Sequence, residues 1–240
     1  MFPFGFGTKS VVLLYFFLHG IVFSLLLLTR SSRQDRSPFW LSLLLLLCSL
    51  YISPFMFGYA GWYSIDSFRK ILFYLPLQQL LLLGPVVYFY TRSLLDPDYQ
   101  IKNIEKLHFL PAGLYLIYSV IIFTGDYFIS DQIYFYADGQ DKDFDLWYQI
   151  SGFLSMLIYF GRSLQYYFRY KRNIYDELSY ADEVIYRWLL HFLSAMLLLL
   201  ILRALFFLLN PEWGEFGRKF WYYFSFSLVT YFLSIQGYTH

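Results

Sequence analysis

Cysteine and charge are what this chain has least of. It holds one cysteine, Cys48, so no internal disulfide framework can form and no thiolate cluster can bind a metal. Cys48 sits inside an apolar run and reads as a small core residue. Charged residues make up 15% of the 240, against about 25% in globular domains, and 18 Lys and Arg face 17 Asp and Glu for a net charge of +1. That balance leaves no clustered basic excess for a phosphate backbone, so no nucleic acid is expected to bind this segment. Enzyme motifs are missing as well. The four histidines, His19, His108, His191 and His240, are far apart and make no HExxH-type metal pair. No GxSxG elbow or P-loop occurs, and Gly5 to Gly7 precedes no nucleotide-binding unit. The expectation is a protein without catalysis, metal or cofactor.

What fills the chain is apolar and aromatic, 58% and 25% of its residues. Runs near the roughly 20 residues that cross a bilayer recur at 10–29, 39–60, 71–91, 107–124, 147–168, 188–209 and 221–237. The first is longer than a secretory h-region, follows one basic residue, Lys9, and ends in charged residues instead of a cleavage site, which makes it a retained span. The sequence therefore predicts an all-α, polytopic seven-helix membrane bundle filling residues 1–240 as one domain. Tyr and Trp cluster at span ends in GYAGWY, LWYQ and WYY, where amphipathic rings anchor at headgroup level. No repeat or inverted half of the transporter kind is visible.

Basic residues choose the orientation. Eleven (Arg30, Arg33, Arg36, Arg92, Lys102, Lys106, Arg162, Arg169, Lys171, Arg172 and Arg187) fall on one side, counting Arg162 as snorkelling from the end of span five; the other side holds six (Lys9, Arg69, Lys70, Lys142, Arg218 and Lys219). The positive-inside rule puts the N-terminus outside and the C-terminus in the cytoplasm. On the cytoplasmic side, Ser179 and Asp182 match a capping box and Glu183 pairs with Arg187 at i+4, so span six should begin as a helix near Ser179. Residues 168–175 should prolong span five in the same way.

Few residues look able to bind anything. The outer connection of residues 125–145 holds six aspartates, Asp126, Asp131, Asp138, Asp141, Asp143 and Asp145, against one lysine. Asp141, Asp143 and Asp145 alternate as calcium ligands do, yet Leu146 stands where the loop needs glycine and Gly152 where it needs an acid, so the aspartates are expected to keep a surface loop wet. Aromatic residues on both sides of Asp138 and Gly139 signal a hairpin. Arg203 lies in an apolar run, where an unpaired cation costs roughly 2.5 to 3.5 kcal/mol. It should snorkel, pair with Glu212 or Glu215, or hold a ligand. His19, Gln78 and Gln79 lie nearer midspan and are expected to face one another across spans one and three, as interhelical hydrogen bonds or as a polar pocket. Pro85 strips the carbonyl of Leu81 of its donor and predicts a kink in span three.

QQLLLLGPVVYFYTRSLLDPDY (Gln78 to Tyr99), followed by LHFLPAGLYLIY (Leu107 to Tyr118), resembles the multi-pass N-terminal membrane region of bacterial AraC-type transcription regulators. The likeness continues through YFYADGQDKDFDLWYQ, ELSYADEVIYRWL and LNPEWGEFGRKFWYY, across most of the chain. Some membrane-bound sensor kinases have similar seven-helix inputs. The resemblance implies a one-component sensor in a bacterial inner membrane, with an unidentified small-molecule or periplasmic signal and a cytoplasmic helix-turn-helix output domain. No recognition helix lies before His240, so DNA binding transfers to no residue here, and the chain reads as an input half, cut from a longer protein or working through a partner. Two alternatives stay open: a small transporter or channel using the His19, Gln78 and Gln79 layer, and a structural membrane partner. Homodimerisation is open too.

Overall fold

The computed structural model describes residues 5–32, 35–96, 98–174, 180–209 and 215–239. Among them the protein is all-helical, with no strand. The helices are α1 (Thr8–Arg30), α2 (Ser37–Tyr59), α3 (Asp66–Tyr74), α4 (Leu80–Leu95), α5 (Leu110–Thr124), α6 (Leu146–Ile174), α7 (Tyr180–Arg203) and α8 (Phe216–Thr239).

Among the described residues four stretches are long and apolar enough to cross a membrane: α1, α2, Asn103–Ile129 around α5, and Arg187–Phe207 in and beyond α7. α4 is apolar but 16 residues long, and α6 and α8 dilute their leucines with tyrosine, tryptophan and serine. The exterior is itself greasy. Val11, Leu18, Val22 and Leu25 on α1, and Leu114, Ile117, Val120 and Ile121 on α5, are each 48 to 61% exposed. Continuous apolar faces of this kind belong against lipid, not water.

Local chemistry sets the helix ends. Pro38 stands in the first turn of α2, where its missing N–H costs nothing, and Asp35 accepts from the Ser37 amide at 2.9 Å. Arg30 closes α1 with a cation at the negative end of its dipole. Small residues then let helices touch. In α1 and α2, Ser24 and Ser42 exchange hydroxyl-to-carbonyl bonds of 2.9 and 2.7 Å, and a Cβ on Gly20 would lie 2.1 Å from the Ser49 hydroxyl. α4 and α6 run parallel, with Gly84 against Ser155 and Gly152 against Leu80, where a Cβ on Gly152 would meet the Leu80 Cβ at 2.5 Å.

α8 returns alongside α1. Lys9 Nζ lies 5.6 Å from the rings of Tyr59 and Phe220, while Arg30 donates to the Tyr238 carbonyl at 2.5 Å and stacks on its ring. Thr8 and Thr239 therefore lie at opposite ends of the bundle, here called the Lys9 end and the Arg30 end. One core runs between them, and Leu44, Leu45, Val86, Val87, Leu199 and Leu200 in it are at most 4% exposed.

Three expectations are corrected. Span three is not one helix: α3 stops at Tyr74 and α4 starts at Leu80, because Pro76 forces the residue before it, Leu75, into extended backbone. α4 then passes unbroken through Pro85. The hairpin turn exists, with positive φ of 52° at Asp138 and 68° at Gly139, but no strands flank it. The aromatic clusters are split between faces: Trp147 and Trp221 are exposed, whereas Tyr148, Tyr222 and Tyr223 are buried. The cap at Ser179 lies outside the described residues, as do the side chains of Asp182 and Glu183. α7 is helical from Tyr180, and α6 reaches Ile174, as the sequence predicts for both.

Candidate ligand site

The break between α3 and α4 strands backbone polar groups inside the protein, and buried backbone groups must find partners. Gln78, fully buried, donates its amide to Asp143 Oδ2 at 2.7 Å and accepts the Tyr148 hydroxyl on its carbonyl at 2.6 Å. The same hydroxyl accepts from the Leu80 amide at 3.1 Å. So the 141–145 turn and α6 complete what Pro76 interrupts.

Asp143 is only 2% exposed and Asp141 6%. Asp143 Oδ1 accepts the Tyr115 hydroxyl of α5 at 2.5 Å, while Asp141 accepts from the Asp143 amide at 3.0 Å and from Tyr63 at 3.3 Å. Burial, with the neighbouring charge of Asp143, pushes the Asp141 carboxyl well above the usual range. Burial also lifts Asp143, to about 6; Asp145 adds to the rise, while the Gln78 and Leu77 amides and the Tyr115 hydroxyl oppose it. Two of the aspartates expected to wet the loop are thus interior groups. A third, Asp126, is 1% exposed and pins the loop to the end of α5 by accepting from Tyr74 and from the Tyr136 amide at 2.6 Å. Asp138 does stay exposed, and Asp145 is half-buried. Among the described residues no cluster of three or more His, Cys, Asp or Glu is placed to hold a metal ion.

From the turn the network crosses the bundle. Gln149 of α6 donates to the Asp143 carbonyl at 2.6 Å and to the Gln78 side-chain oxygen at 3.0 Å. Gln78 in turn donates to the Tyr51 carbonyl of α2 at 3.2 Å, with the Tyr223 hydroxyl of α8 at 3.5 Å. Arg203 ends α7 by turning inward: it donates to Gln149 Oε1 at 2.7 Å, to the Gln149 carbonyl at 3.2 Å and to the Tyr51 hydroxyl at 3.5 Å. Tyr51 continues to Tyr222 at 3.1 Å. α2, α5, α6, α7, α8 and the α3–α4 break are tied together this way at the Lys9 end.

A cavity of about 470 Å³ opens beside this network, lined by residues that include Phe55, Gln149, Phe153, Arg203, Phe207, Lys219 and Tyr223. Small-ligand pockets typically span about 300–1,000 Å³.

The structure brings Gln78, Arg203, Asp141 and Asp143 together and leaves His19 apart. His19 bonds Ser234 of α8 at 2.7 Å and lies against Tyr231 and Phe23. Ser234 is eleven residues past Tyr223, roughly 16 Å further along the helix. The expected His19, Gln78 and Gln79 layer therefore does not form. Gln79 turns back on the Pro76 carbonyl at 2.7 Å, with its side-chain oxygen buried and unbonded. Arg203 neither snorkels nor pairs with Glu215, which lies 3.8 Å from Arg218; Glu212 lies outside the described residues. Gln149, Tyr115, Tyr148 and Lys219 were not legible as site residues. The one available sign was Gln149, an uncharged amide at the head of an apolar run, which LWYQ disguised as a headgroup anchor.

No protein-family profile, curated protein or solved structure matches this chain.

Proposed function

We propose that this chain is an integral membrane signal-input module, crossing the bilayer seven times with the Lys9 end outside and the Arg30 end in the cytoplasm of a bacterial cell. α3 with α4 counts as one broken crossing. The parallel pairing of α1 and α8 supports an odd number of crossings, and the excess of basic residues toward the Arg30 end supports the orientation. In this reading, as the resemblance to AraC-type regulators implies, the output is a cytoplasmic helix-turn-helix domain.

The observation that carries the reading is the polar network. It joins an interrupted crossing, an outer loop and five helices through side chains at one end, which is the arrangement a ligand needs in order to bias a whole bundle between two packings. The middle of the bundle is filled by leucine and valine, which favours an input module over a channel.

The test reads the far end while disturbing the near one. Label pairs at Arg172→Cys and Thr239→Cys, both exposed near the Arg30 end, report their distance in nanodiscs, and Cys48 is buried and slow to label. Gln149→Leu should shift that distance distribution by at least about 2 Å, the scale of interhelical switching. Superimposable distributions in the parent and in Gln149→Leu would sink the proposal. Reporter fusions at Thr239 and in the 125–145 loop check orientation; a periplasmic signal from Thr239 contradicts it.

A further inference from the structure

We infer that the cavity between α2, α6, α7 and α8 is a binding site for an amphipathic anion: an acyl chain running along α6, with a carboxylate or phosphate head held by Arg203 and Lys219. The charges argue for it first. Among the described residues two cations line the cavity and no carboxylate does. Every bond of the Arg203 guanidinium among the described residues goes to a neutral oxygen, three contacts for five donors. Lys219 makes no ion pair among the described residues, and the contact recorded for its ammonium is the Phe55 ring at 5.8 Å. A desolvated cation without a counter-charge is costly, and an anion from outside the chain supplies one. Another cavity at the same end shows the contrast. At about 420 Å³ it includes Lys70 and Asp126, and Lys70 is already bridged to Asp66 at 2.6 Å.

The walls argue for the chain. Beyond Gln149 and the two cations the lining is aromatic and aliphatic. Leu146, Ile150 and Leu154 form one stripe of α6, at 75, 46 and 50% exposure, so this wall continues onto the apolar exterior and admits a guest sideways. From Leu146 to Leu154 the stripe descends about 12 Å along the helix axis. Gln149 holds Arg203 and also bonds Gln78 and the Asp143 carbonyl, so a head on Arg203 would touch the network directly. The site stands on its own geometry; only its use as the signal rests on the input-module reading.

The experiment uses the full chain in phosphatidylcholine nanodiscs, with dansyl-undecanoate as the fluorescent probe and oleate, methyl oleate and phosphatidylglycerol as competitors. Saturable binding is expected, displaced by oleate at least tenfold more effectively than by its neutral ester. Arg203→Met with Lys219→Met should weaken it at least tenfold, Ile150→Trp should block the tail path, and Lys106→Met at the other end should change nothing. If the double variant fails to fold, Ile150→Trp and the ester comparison decide. Stronger displacement by phosphatidylglycerol than by oleate supports the site and names bilayer phospholipid as the source; the reverse names a free acyl anion. Absence of saturable binding, equal competition by the ester, undiminished binding in both the double variant and Ile150→Trp, or a cavity closed by a second copy in a dimer overturns the inference. Binding without any change at the Arg172 and Thr239 labels would leave the site standing and remove the signalling role.

Discussion

Asp143→Asn should flatten the acid dependence of stability. In the folded protein burial lifts the Asp143 carboxyl to about 6, while an aspartate in an unfolded loop titrates near 3.9. Between those values the folded state keeps a proton that the unfolded chain has lost. Stability therefore falls as pH rises through the window, and the loss is complete above about pH 6. Two pH units at 1.36 kcal/mol each give roughly 3 kcal/mol, or about 6–12 °C in melting midpoint at 2–4 °C per kcal/mol. Asparagine keeps the shape: its oxygen accepts from the Gln78 amide, and its NH₂ meets a Tyr115 hydroxyl free to rotate and accept. Only the titration is lost. Asp141 is raised as well, in part by the Asp143 charge, so the difference between two melting series reports Asp143 together with its coupling to Asp141. Circular dichroism melts in nanodiscs between about pH 4 and pH 7 measure it. Parallel curves for the two proteins, or a steeper one for the variant, would refute the buried-carboxyl argument.

Gln149→Leu takes away the side-chain acceptor that holds Arg203 at 2.7 Å and should cost about 2–3 kcal/mol; adding Arg203→Met should recover most of it, a coupling that a double-mutant cycle measures. Gly152→Ala puts a methyl 2.5 Å from the Leu80 Cβ and should cost about 1–3 kcal/mol, read at neutral pH by the temperature at which buried Cys48 begins to react with a thiol dye. His19→Ala should leave dansyl-undecanoate binding unchanged, because His19 bonds α8 away from the network.

Helix positions were legible because apolar runs of bilayer length leave few alternatives. Cys48 and the prolongation of α6 followed from the same patterning. The site was not legible, for a physical reason that Pro76 shows. A single break creates a need for buried partners, but which side chains answer it depends on where a loop seventy residues away returns. Composition marked Asp141 and Asp143 as solvated, and the fold makes them structural acceptors for Tyr63, Gln78 and Tyr115. Arg203 had the opposite fate. Its cost in an apolar run was readable, but its relief through a neutral glutamine on another helix was not.

α6 is a rod of 29 residues, about 43 Å long at 1.5 Å per residue and therefore longer than a hydrocarbon layer of about 30 Å. Gln149 sits near one tip and Arg172 near the other, 23 positions away. With parallel α4 seated against it at Gly84 and Gly152 as a fulcrum, a lean of about 5° originating at Gln149 sweeps the distant tip through roughly 3 Å, enough mechanical advantage to transmit an event on one face without any rearrangement in the middle.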